Sequence, residues 1–153
     1  MTYYVFNFST GDRAEAASLL RAKMWGIGRD EEHRDDLAPG DLCLIYVVAP
    51  ERVFIGRAEL GTAVHEWTPS ETGASPGDWP SGVVLSHVEE WHPIVPMDAA
   101  AQRIDPSASN PLVQANAAAG FRMGVVRITR DEYEAVLALS REARGTRAYD
   151  TQT

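Results

Sequence analysis

Trp25, beside Gly26 and Gly28, and Trp67 and Trp79, within a stretch rich in Gly, Ser, Pro and Thr, are the residues whose types and spacing best suit a chemical task. An indole face stacks on a flat ligand with about 1–3 kcal/mol per contact, and glycine lets backbone groups approach the ligand's polar edge. Such a set binds and breaks no bonds. The competing use of each ring is to plug the core. Solvated loops rarely display large aromatic rings without a reason, and residues 61–82 carry Trp67 and Trp79.

Other chemistry finds little support. His33, His65, His87 and His92 lack the close spacing that aims several imidazoles at one metal, so no metal site is expected. His87 and His92 flank Glu89 and Glu90 on an expected strand, where alternation sends neighbours to opposite faces. There is neither a Gly-x-Ser-x-Gly elbow nor a Cys and His signature, so no catalytic residue, cofactor or enzyme activity is expected. Gly26-Ile27-Gly28 follows a helix instead of opening one, which suits a close-approach loop better than a phosphate cradle. The lone Cys43 permits no internal disulfide and no thiolate zinc cluster.

These residues must be positioned by a chain of 153 residues, a length at which one core can bury about two-thirds of the unfolded surface. Hydrophobic residues at 44% and charged residues at 24% are globular values, and one domain over 1–144 is expected, with a flexible tail over 145–153. The apolar run Leu42–Ala49 is far shorter than the roughly 20 residues of a membrane helix. With no signal-peptide pattern at the start, a cytoplasmic protein without membrane contact is expected. A net charge of −8 cuts against coating nucleic acid, because that affinity comes from cations on phosphates. Much of the acidity lies in Asp30–Asp36, which reads as a solvated loop.

Tyr3–Phe8 is rich in aromatic and β-branched residues and predicts a first strand. Asp12, with Glu15 three residues on, predicts a capped helix whose stripe is Ala16, Leu20 and Met24, ended by Trp25–Gly28. After the Pro39-Gly40 turn, Asp41–Val48 is apolar on both faces, as in a central strand, and Val53–Leu60 is its hairpin partner, with Gly56 marking a bulge or close approach. Residues 61–82 read as an irregular loop and Val83–Trp91 as a strand closed by Pro93 and Pro96. Asp98 can cap a short helix through Ile104, and Asn110-Pro111 can open another that ends near Gly120. Gly124–Ile128 is the last strand, and Thr129 with Glu132 forms a capping box for a final helix that aligns Tyr133, Val136, Leu137 and Ser140. Adjacent strands of this kind predict an α/β (α+β) domain built on a mixed, curled sheet.

In that order, Tyr4-Val5-Phe6-Asn7, Lys23-Met24-Trp25-Gly26, Pro39-Gly40-Asp41, the strand Val53–Leu60 and Asn110-Pro111 resemble the EVE family of PUA-like domains and the related YTH domains. The resemblance spans Tyr3 to Leu139. It implies a PUA-like curled sheet or barrel of five to six strands flanked by helices, with a pocket for one modified, often methylated, nucleobase. By resemblance, Trp25 is one wall, Gly26 offers its backbone to the base edge, and Asn7 and Ser9 lie near polar positions at the end of the first strand. The second wall is Trp67 or Trp79, and Arg122, after Gly120-Phe121, matches a segment that contacts the nucleic-acid backbone.

Three functions compete. The first is a reader of a modified base in DNA or RNA, flipped out and stacked, with a nuclease or restriction partner conceivable by resemblance. The second is a sensor or minor enzyme for a free nucleoside or other planar molecule, which net acidity favours. The third is a protein-interaction domain whose Trp67 and Trp79 are buried against a partner.

Overall fold

The computed structural model describes residues 1–8, 12–48, 50–74, 80–104, 112 and 124–152. Ser9, Trp79, Asn110-Pro111, Gly120-Phe121 and Arg122 therefore lie outside the described residues.

The described elements are β1 (Tyr3–Phe8), α1 (Arg13–Ala22), β2 (Met24–Gly26), a single 3₁₀ turn (Arg34–Asp36), β3 (Leu42–Val47) and β4 (Val53–Leu60). They continue as β5 (His65–Glu66), α2 (Pro69–Ala74), β6 (Ser81–Pro96), α3 (Met97–Arg103), β7 (Val125–Ile128) and α4 (Arg130–Gln152). One mixed, curled sheet runs in the order β2-β6-β4-β3-β1-β7, with β5 paired to β6 off that path. Only the β1–β3 pairing is parallel among the described ladders; β3 and β4 form the expected antiparallel pair.

The sheet has an apolar cluster on each face. On one side Tyr4, Phe6, Trp25, Cys43, Ile45, Ile55 and Val83 pack with Ala16, Ala17 and Leu20 of α1. On the other, Val5, Leu44, Tyr46, Phe54 and Trp91 pack with Met97 and Ala100 of α3 and with Tyr133, Val136 and Leu137 of α4. Burial on both faces is what the apolar alternation of β3 demands. Ser140 is fully buried on the same stripe of α4.

Caps close the helices much as their sequences dictate. The Asp12 carboxylate accepts from Glu15 N at 3.2 Å at the start of α1. In α4, Glu132 N donates to Thr129 Oγ1 at 3.1 Å and Thr129 N to Glu132 Oε1 at 3.0 Å, a complete capping box. Helix α4 runs on to Gln152, through the stretch expected to be a tail. At α3 the expectation fails: Pro96, not Asp98, holds the N-cap position, and Asp98 lies in the first turn. The proline's fixed φ suits the entry, and Met97 N donates back to Arg52 O at 2.9 Å.

Three further expectations are corrected. Met24 does not continue the stripe of α1, because Lys23 takes left-handed φ +60° and its N–H closes on Leu19 O and Leu20 O, so the chain leaves as β2. Strand β6 does not stop at Pro93. The ladder passes from Gly56 opposite Glu90 to Phe54 opposite Val95, so Trp91–Ile94 bulge away and a residue without an N–H is tolerated there. Gly56 at this irregularity has no room for a side chain, since a Cβ would meet Glu89 O and Leu20 Cδ2, as its expected close approach requires. Residues 61–82 are not wholly irregular either, since they contain β5 and α2.

Candidate functional site

Trp25, Gly26 and Trp67 meet at the start of β6. Strand β2 lies along one edge, pairing Trp25 with Val83 and Gly26 with Gly82. Strand β5 lies along the opposite edge, pairing His65 with Gly82 and Glu66 with Ser81. Gly82 is thus shared by both. A Cβ on it would meet the carbonyl oxygen of Trp25 and lie 2.7 Å from both Cη2 and Cζ2 of Trp67. Only glycine allows the Trp67 ring to settle there.

The two tryptophans differ in access. Trp25 is 4% exposed, stacked on Phe6 at 6.2 Å between ring centres and 28° between planes, with the edge of Phe8 at 6.0 Å. It is a core residue, so a base can stack on its ring only if this corner opens. Trp67 is half-buried and lies just after β5, its N–H donating to Pro80 O at 3.1 Å. Of the two rings, it is the more accessible.

Asn7 does not join them. It is paired with Tyr46 as Val5 is with Leu44, and Val5, Leu44 and Tyr46 all belong to the cluster on the far face of the sheet. Alternation therefore directs its side chain away from Phe6 and Trp25. Asn7 is buried, and its backbone N–H donates to Gly124 O at 2.8 Å. The side-chain roles expected of Ser9, Trp79 and Arg122 fall outside the described residues.

The loop after Gly26 is fastened rather than open. Arg34 Nη1 reaches Ile27 O at 3.1 Å, Gly28 O at 3.3 Å and Ser81 Oγ at 3.0 Å, while Ile27 N donates to Ser81 O at 3.0 Å. The acidic run is therefore only partly the solvated loop expected of it. Asp30, Glu32, Asp35 and Asp36 are exposed, but Glu31 accepts from Val125 N at 3.0 Å and Arg34 is an anchor. A charge run viewed in one dimension hides such partners, because they lie at distant sequence positions.

On the other flank, His65 stands edge-on to Trp67, with ring centres 5.6 Å apart and planes at 89°. Its Nε2 lies 3.0 and 3.1 Å from the two carboxylate oxygens of Glu71, and its Nδ1 lies 3.1 Å from Ala63 O. The bond to the Ala63 carbonyl, then the Glu71 carboxylate, raise the His65 pKa against the opposing effect of burial. Glu71 is held below the usual carboxylate range, chiefly by the Thr68 backbone N–H and then by His65. Glu71 closes a second capping box, accepting from Thr68 N at 2.9 Å while its own N–H donates to Thr68 Oγ1 at 3.3 Å. Sequence spacing held a clue here in Thr68-x-x-Glu71, whereas nothing local marked Gly82 or Arg34.

Among the described residues no group of three His, Cys, Asp or Glu side chains is disposed to hold a metal, and no helix is long and apolar enough to cross a membrane.

No family model and no curated protein matches the chain. Solved structures do. The protein PSPTO5229 of Pseudomonas syringae is similar at 19% identity over 90% of this chain and 99% of that one, with a TM-score of 0.64. Human THYN1, solved in complex with 5-methylcytosine-containing DNA, is similar at 16% identity over 92% and 98% of the two chains, with a TM-score of 0.62. The fold is PUA-like. A YTH domain of the Zygosaccharomyces rouxii MRB1 protein, solved with N6-methyladenosine RNA, shares this PUA-like sheet at 15% identity over 90% and 84% of the chains, with a TM-score of 0.59. The curled sheet implied by the resemblance is therefore present, and at such identities the likeness concerns fold.

Proposed function

We propose that this PUA-like domain is a binding module for a modified, methylated nucleobase in DNA or RNA, held flipped out against Trp67 at the Gly26–Gly82 corner. The observation that carries the reading is the indole of Trp67 resting on a glycine that also pairs with Gly26, next to Trp25. Two proteins of the same fold, bound to 5-methylcytosine DNA and to N6-methyladenosine RNA, support it. Extraction of a base costs a few kcal/mol, and stacking on an indole returns about 1–3 kcal/mol, so polar contacts and shape must supply the rest. Burial of one methyl adds about 0.8 kcal/mol, near fourfold in affinity. The role is binding, without catalysis; a nuclease partner would supply any cleavage.

Titration of matched modified and unmodified oligonucleotides, single-stranded and duplex, tests the proposal. Trp67→Ala should weaken modified-base binding by about five- to 150-fold, the loss of one stacked ring. Equal binding of modified and unmodified strands, or an unchanged affinity in a folded Trp67→Ala protein, overturns it.

A second reading, a sensor of a free nucleoside, is favoured by one observation: Asp30, Glu32, Asp35 and Asp36 are exposed just beyond the Trp25–Gly28 corner. Such charges repel a polyanion more than a neutral ligand. A nucleoside that competes as well as the oligonucleotide would decide for it. The protein-interaction reading gains nothing comparable, since Met1 is the one large apolar side chain exposed among the residues whose side-chain burial is described.

A further inference from the structure

We propose that His65 and Glu71 form a proton-operated latch that positions Trp67 against Gly82, so that base binding at this corner strengthens when His65 is protonated. The role assigned to Trp67 rests on the reading above; the latch itself rests on geometry.

Both ring nitrogens of His65 face acceptors: the Ala63 carbonyl at Nδ1, and the Glu71 carboxylate at Nε2. A neutral imidazole has one N–H and can serve one of them; the imidazolium donates to both. Thr62 Oγ1, 3.4 Å from Nδ1, can donate to that nitrogen only when it carries no proton, so in the neutral ring it replaces the Ala63 bond with a weaker one. Glu71 is the charged group contacting His65 among the described residues, and Ser81 and Gly82 across the ladder bring no charge.

Trp67 is enclosed by this arrangement. It follows β5, stands edge-on to the His65 ring, and immediately precedes Thr68, whose capping box uses the same Glu71 carboxylate. When His65 loses its proton, Glu71 Oε1 keeps Thr68 N, but the bridge back to β5 falls from a charge-assisted pair to at most one neutral hydrogen bond, and Trp67 lies in the segment that bridge ties. His65 is raised above its ordinary 6.5 and Glu71 is lowered below its ordinary 4.5, so the latch is fully formed between those values. It weakens as pH rises through the raised His65 value, and again in acid as Glu71 protonates.

The test uses the full chain and nuclear magnetic resonance of the His65 ring and the Trp67 indole N–H, the latter assigned with Trp67→Phe, over about pH 5 to 8. The expected result is a His65 midpoint above 6.5, with the Trp67 signal shifting at that same midpoint. Glu71→Gln should lower the His65 midpoint and narrow the Trp67 shift. Modified-base affinity should fall by about three- to tenfold across the midpoint, in line with the net worth of one hydrogen bond. His65→Gln, with its fold checked by the same spectra, should abolish the pH dependence. A Trp67 signal that ignores the His65 titration overturns the latch, as does affinity that persists unchanged across the midpoint. Coupled His65 and Trp67 signals in a protein that binds no oligonucleotide at any pH uphold the latch and overturn the base-binding reading instead.

Discussion

Strand β6 carries two aromatic environments that invert each other. At its centre, Trp91 is wholly buried and its Nε1 donates to Glu89 Oε1 at 2.9 Å; Glu89 Oε2 accepts from Arg57 Nε at 3.2 Å, and Arg57 Nη1 donates to Tyr133 OH at 3.1 Å. At its start, Gly82 has no side chain, and a half-buried indole from the β5 flank fills the space. A tryptophan enclosed by α3 and α4 with its N–H satisfied inside is scaffold. One resting on glycine at a strand end keeps part of its ring surface open. The residue type is the same in both places; the covering element decides its use.

The largest expected effect tests whether the Trp25 face is closed along its length except at that end. Cys43 lies on the Trp25 face, and burial pushes its thiol up to about 12, so it stays protonated at neutral pH. A thiol reagent should therefore label it only as fast as the protein opens, and label it promptly in denaturant. Fast labelling of the native protein would show the Trp25 face open and end the contrast.

Next in size, Trp91→Ala should cost about 3–5 kcal/mol of stability by denaturant unfolding, since it leaves a cavity and takes the indole donor from Glu89. Trp67→Ala should cost far less stability while weakening binding; similar stability losses at the two positions would break the comparison. Gly82→Val should lower stability by about 1–3 kcal/mol, because its Cβ meets the Trp25 carbonyl and the Trp67 ring, and should reduce modified-base affinity in any folded fraction. Smallest, Tyr133→Phe removes the acceptor that Arg57 uses, at about 1 kcal/mol, with binding unchanged. A binding defect there would place part of the ligand site on the far face.

The sequence by itself determined the parts whose causes lie within a few residues. Strands Tyr3–Phe8 and Val53–Leu60 emerge at those bounds from alternation and β-branched content, and the Asp12 and Thr129–Glu132 caps from one short pattern each. The ordered motifs also pointed to the PUA-like fold that the solved structures share. Trp25 and Trp67 were legible as candidates, but not which was buried. That distinction, like the turning of Asn7 to the far face, follows from how the strands pair. Gly82, Arg34 and the His65–Glu71 bridge gain their meaning only when β6 runs between β2 and β5. Tertiary structure decided them because a missing Cβ or a guanidinium acquires a role only from the atoms brought beside it, and for Arg34 and Ser81 those are 47 residues apart in the chain.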